Sequence, residues 1–276
     1  MSRARLLLAV WIWLGVAAGS PAEPLRVTAT TSLLASLIKD VGGARVEVNV
    51  LIPPASCPGH FDLRPGDVAA ISRTGVLFAH QFERFVNRVS ELGGKRVQIH
   101  RIHAEGNWLV PQTYAQAGER VASILSTLDP AGSGEYRRNL GRLRQRTEAL
   151  DRELKVQMRR AGVSGKPVVA SDMLTPLLIW MGMQVVAVYG RAEDLTPLEW
   201  RRVVDTARRA NVRLVIDNLQ SGASTGKEMA RELNAQHVTL SNFPGAFPNT
   251  ASWEQCLREN VRRVILAVKE GSAAEL

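Results

Sequence analysis

Cysteine is scarce in this sequence: only Cys57 and Cys256 occur. The fold therefore does not rest on a disulfide framework of the kind that small secreted domains need. Aromatic residues make up 5% of the chain. None is interleaved with a basic patch, which argues against a nucleic-acid partner. The apolar run from Leu6 to Ala18 has 13 residues, short of the about 20 that span a bilayer. The signatures of common chemistry are missing too. There is no H-E-x-x-H and no Gly-rich phosphate loop, and the reading is of a protein that binds without catalysing. Cys57 beside a histidine is the one arrangement that would fit a thiol enzyme.

What is present points to export and to two lobes. Arg3 and Arg5 precede the apolar run, and Ser20-Pro21-Ala22 follows it as a small-residue cleavage site. That pattern predicts a secretory signal over residues 1–22 and a periplasmic or otherwise extracytoplasmic location. The whole chain carries +9. Without Arg3 and Arg5 the balance is 33 basic against 26 acidic residues, a net +7. The arginines are spread along helical segments among acidic residues, which reads as a solvated surface.

At 276 residues and 45% hydrophobic, the chain can form one large or two modest domains. Strand and helix patterns alternate twice. Strands are expected at 25–30, 45–52, 75–79 and 96–100, then at 167–171, 184–188, 213–216 and 237–240. Between the two sets lies an amphipathic helix from about 135 to 160, with Leu140, Leu143, Leu150, Leu154 and Met158 on one face. The fold expected is α/β: two lobes, each a four-stranded mostly parallel sheet with helices on both faces, joined by a long spine helix. The corresponding division is 23–130 for the N-terminal lobe, 131–162 for the spine and 163–276 for the C-terminal lobe.

Ligands of open α/β sheets bind beyond the carboxyl ends of the strands. The polar residues there include Cys57, His60, His80, His100, His103, Asp172, Asp217, Ser241 and Asn242. Histidine, cysteine and carboxylates are the donors that hold borderline divalent metals. The metal site expected is drawn from His60, Asp172, Asp217, Cys57 and His80, with Cys57-x-x-His60 the sharpest local signal. Cys256, among apolar neighbours in the last helix, is expected to be buried and not bonded to Cys57. His237, at the start of a strand, is expected on the surface.

Taken in order, these segments resemble the zinc- and manganese-binding solute-binding proteins of ABC importers. The likeness is carried by LIPPASCPGHFDLRPGDVAAI (51–71), GNWLVPQTYAQAGERVASILSTLDP (106–130) and VVASDMLTPLLIWMGMQVVAV (168–188), and it covers nearly the whole exported chain. The resemblance implies capture of a divalent transition metal, zinc foremost and manganese next, and delivery to a permease and its ATPase. It also implies a monomer that meets the membrane only through that permease. His60 matches the family's first metal-binding histidine. The family's second histidine falls at Gly106, its next ligand at Asp172, a further carboxylate at Asp217, and its last ligand at Ser241 or Asn242. Either Cys57, His80 or His103 completes a rearranged site, or the cargo is a metal complex, an organic solute or a partner protein.

Overall fold

The computed structural model describes residues 23–92, 97–222 and 224–273. The signal expected at 1–22 lies outside these residues. Two four-stranded parallel sheets are formed. The first has the order β2-β1-β3-β4, from β1 (Leu25–Ala29), β2 (Val46–Val50), β3 (Val76–His80) and β4 (Gln98–Ile102). The second has the order β6-β5-β7-β8, from β5 (Pro167–Ser171), β6 (Gln184–Tyr189), β7 (Leu214–Asn218) and β8 (Gln236–Leu240). The same strand order recurs without residue-level repetition, so the duplication is one of architecture.

The helices are α1 (Ser32–Gly42), α2 (Pro65–Thr74), α3 (Val86–Leu92), α4 (Pro111–Leu128), α5 (Ser133–Arg160), α6 (Thr175–Trp180), α7 (Pro197–Arg209), α8 (Ser224–Leu233) and α9 (Trp253–Ala273). Their starts follow local chemistry. Thr31 accepts the Leu34 N–H at the head of α1. Thr196 and Glu199 cap each other reciprocally at α7, and proline opens α2, α4 and α7 where a missing N–H costs nothing. The spine, α5, has 28 residues, about 42 Å at 1.5 Å each. Its buried stripe runs Tyr136, Asn139, Leu143, Thr147, Leu150, Leu154 and Met158, steps of three and four that keep one face inward.

The inner faces of both sheets share one continuous core. Phe78 of β3, Ile216 of β7, Leu150 of the spine and Trp253 of α9 belong to the same buried cluster. The outer faces are covered separately. Leu77, Ala79 and Ile71 pack on one side of the first sheet, and Val169, Val215 and Met229 on one side of the second. The lobes are thus bound to each other through their centre. Trp253 stacks on Tyr114 at 4.3 Å, and its Nε1 donates to the Trp108 carbonyl at 2.9 Å. Ser32 donates to the Pro244 carbonyl at 2.7 Å, and Gln220 to that of Pro54 at 2.9 Å. These ties leave little room for the lobes to swing apart.

The strand expected at 96–100 lies at 98–102, and the one expected at 213–216 runs on to Asn218. Helix α3 begins only at Val86. There the Glu83 carboxylate turns back to accept the His80 N–H at 2.8 Å, which holds the intervening residues in a turn and leaves Phe82 exposed.

Candidate functional site

A cleft of about 1000 Å³ opens between the lobes, where the carboxyl ends of strands from both sheets meet. Its first wall comes from the loop after β2, with Cys57, and from the segments after β3 and β4, with His80, Phe82, His103 and Trp108. The facing wall carries Asp172 and Met173 after β5, Arg191 after β6, Asn218 and Gln220 of the β7 end, and Asn242 after β8.

Strand parity explains what reaches it. In β3, Val76 and Phe78 face the shared core, so His80 does too. His80 is fully buried on the cleft floor. Its Nε2 lies 2.9 Å from the Thr31 hydroxyl, and its ring sits between Phe82, stacked at 5.1 Å, and Trp108, edge-on at 4.6 Å. Burial drives its pKa down to about 3, so the imidazole is neutral. Glu83 beneath it is also buried, and burial raises its carboxyl to about 7.

In β7 the same parity works against the sequence expectation. Leu214 and Ile216 face the shared core and Val215 faces outward. Because the strand continues through Asp217, that side chain also turns outward, away from the cleft. Asp217 is 1% exposed and holds Tyr189 Oη in a very short hydrogen bond. It also contacts His237 Nε2 at 2.7 Å and accepts the Gly226 N–H at 3.2 Å. Asp217 is therefore not brought together with the other expected donors, and His237 is not the free surface residue expected. The shift of β4 likewise puts His100 in mid-strand beside Phe78, with Nε2 buried and without a hydrogen-bond partner among the described residues. His103, just past the strand, reaches the cleft.

Cys57 and His60 are brought together, but by a residue that sequence reasoning missed. Arg191 of the second lobe lies across the loop, its Nη1 at 2.9 Å from His60 Nε2 and its Nη2 at 3.1 Å from Cys57 Sγ. A guanidinium only donates, so the His60 lone pair that would ligate a metal accepts from Arg191 instead. Glu193 Oε1 lies 3.4 Å from the same nitrogen. Arg191 carries the same positional signal as the others, two residues past a strand, but arginine is not a metal-ligand type.

The other matched positions are occupied by backbone-directed contacts. Asp172 Oδ1 accepts the Met173 N–H at 2.7 Å, which caps the turn after β5. Asn107 Nδ2 bridges to the Met173 carbonyl at 3.1 Å and to Asn242 Oδ1 at 2.7 Å. Ser241 is fully buried and hydrogen-bonds Gln220 and the Phe243 backbone. Gly106 has φ +89°, a left-handed conformation in which a side chain is strained. Among the described residues, no group of three or more His, Cys, Asp or Glu side chains is placed to share a metal ion. Both thiols are free. Cys256 points to the Ser241 carbonyl at 3.6 Å, and burial raises its pKa to about 12.

With this geometry, an interlobe cleft at the carboxyl ends of two parallel sheets joined by a rigid helix defines a two-lobed solute-binding protein. Residues 27–267 match the family model described as zinc-uptake complex component A periplasmic, ZnuA, and the chain belongs to that family. It is 22% identical over 183 residues to the manganese ABC transporter substrate-binding lipoprotein PsaA of Streptococcus pneumoniae. It is 23% identical over 175 residues to the iron ABC transporter substrate-binding lipoprotein MtsA of Streptococcus pyogenes serotype M1. These matches take in 57% and 54% of the chain, and the chain spans 59% and 56% of those relatives' lengths. Its fold matches a crystal structure of ZnuA with a TM-score of 0.75 at 17% identity, over 89% of this chain and 99% of that one. The manganese-bound periplasmic metal binding protein of Candidatus Liberibacter asiaticus matches with 0.76 at 14%, over 88% and 99%.

Among the described residues, no helix is long and apolar enough to cross a membrane.

Proposed function

We propose that this protein is the extracytoplasmic solute-binding component of an ABC importer. It captures a divalent transition metal, zinc or manganese, in the interlobe cleft and hands it to a membrane permease driven by an ATPase. The observation that carries the reading is the cleft itself. It lies where the strands of both sheets end, within the span of the family match, with Cys57 and Asp172 on opposite walls and His60 beside Cys57. Residues 1–22 direct export, the exported chain acts as a monomer, and only the permease brings it to the membrane. Function here is binding without bond making, with affinity set by how completely protein donors replace the cargo's hydration.

The reading is tested by elemental analysis of the protein isolated from its native extracytoplasmic space without chelators. One equivalent of a first-row metal per chain is expected. Preparations that are consistently metal-free would refute it. A second reading is favoured by Arg191: the same fold with a cleft that has given up metal for an organic solute. It predicts an organic molecule in the metal-free preparations, identifiable by mass spectrometry of the denatured eluate.

A further inference from the structure

Cys57 of the cleft lining and the neighbouring His60 are both covered by the Arg191 guanidinium. A bare dication would have to displace Arg191 and then sit beside it, charge against like charge. The polar groups around it are partly engaged. Asp172 accepts a backbone N–H at Oδ1, and Asn107 spends its amide on the facing lobe and its Oδ1 on the Leu109 N–H. The other acidic residue of the lining is Glu105, against Arg84 and Arg191, and Glu193 Oε1 lies 3.4 Å from His60 Nε2.

The guanidinium at the centre of this arrangement suits an anion. Arginine meets a carboxylate with two parallel N–H donors, the geometry it is shaped for. The Asn242 carbonyl oxygen accepts from Asn107, which turns its Nδ2 outward as a donor with no partner among the described residues. The cleft also has room for more than an ion: about 1000 Å³ is the upper end of the range for organic ligands. Phe82, 64% exposed, and Met173, 53% exposed, offer apolar contact from opposite walls.

We propose that the cleft takes its metal as a small anionic carboxylate chelate, with Arg191 as the cation that receives the chelate's carboxylates. When Arg191 turns to them, it frees His60 Nε2 and Cys57 Sγ to complete the coordination of the metal. The inference rests on the importer reading above and names the form of its cargo.

The test is calorimetric titration of the full exported chain with zinc chloride, zinc citrate and citrate alone, repeated on Arg191→Gln and Asn242→Asp. In the unmutated protein, zinc citrate should bind at least tenfold more tightly than either component, a difference of about 1.4 kcal/mol. Arg191→Gln should lose at least tenfold for zinc citrate while its thermal melting stays unchanged. Asn242→Asp, which puts a carboxylate where the donor was, should weaken zinc citrate and strengthen free zinc. Free zinc binding as tightly as zinc citrate would overturn the chelate and leave the importer reading standing. Citrate alone binding as tightly as its zinc complex would remove the metal from the proposal, and an unaltered Arg191→Gln would remove the guanidinium. Failure of every zinc form, together with metal-free native protein, would sink the importer reading itself.

Discussion

Removing the carboxylate of Asp217 separates a structural role from a ligand role, because the two readings predict opposite observables. Asp217 is 1% exposed and holds three donors: Tyr189 Oη, His237 Nε2 and the Gly226 N–H. Asp217→Ala leaves the Gly226 N–H buried without an acceptor, at about 1–3 kcal/mol, and leaves the Tyr189 hydroxyl with only the Ile216 carbonyl at 3.3 Å. Breaking a fully buried pair costs about 3–5 kcal/mol. The His237 side chain keeps 23% exposure and can turn to water, which places the loss at the low end, about 3 kcal/mol. For a chain of this size that lowers the melting temperature by about 6–12 °C. Cargo affinity should not change, since the side chain faces α8 and not the cleft. Differential scanning calorimetry and calorimetric titration on the same preparation read both quantities. A tenfold loss of cargo affinity with an unmoved melting temperature would refute the assignment and return Asp217 to the metal site.

Other tests follow from the same packing. Gly226→Ala puts a methyl 2.3 Å from Tyr189 Oη and 2.5 Å from the Asp217 carboxylate, so it should destabilise by about 1–3 kcal/mol as overpacking, measured by urea denaturation. A folded, equally stable variant would show that α8 is free to shift. His80 and Glu83 oppose each other in pH dependence. Burial lowers His80 to about 3 and raises Glu83 to about 7. Stability from the neutral histidine is lost as pH falls from about 6.5 towards 3, and stability from the protonated glutamate is lost as pH rises from about 4.5 through 7, each at up to about 1.4 kcal/mol per pH unit. The two slopes cancel between about 4.5 and 6.5, so Glu83→Gln should unmask a rise in stability with pH there. A flat profile in that variant would contradict it. Cys57, half-buried, should react with a thiol reagent in the native protein once Arg191 is replaced by Gln, while Cys256 should react only on unfolding. Equal rates for the two thiols would overturn the placement of Cys256.

The fold was legible because it rests on periodicity. The strict alternation around Val46, Val48 and Val50, the three-and-four stripe of the spine, and proline at 111, 167 and 197 mark element boundaries that the structure reproduces to within a few residues. The site was less legible for a reason that follows from the same periodicity. A strand's side chains change face at every residue, so the extension of β7 from 216 to 218 decides whether residue 217 meets the solute or the helix behind it. An error of two residues is small for a boundary and decisive for a donor. Gly106 illustrates a second limit: its left-handed backbone cannot be read from a glycine alone. Arg191 illustrates a third. Searching strand ends for metal ligands passes over a residue whose charge makes it a metal's competitor. The positions expected for the family's second and last ligands carry Gly106 and Ser241 or Asn242, none of them anionic or an imidazole, and the structure supplies a cation of its own at His60. Those changes are coupled electrostatically. A site that gives up anionic ligands has less with which to hold a dication, and a fixed guanidinium between the same walls makes the neighbouring space favourable for negative charge. Under the chelate proposal the cleft keeps its place in the fold and receives its metal with the positive charge already met by carboxylates.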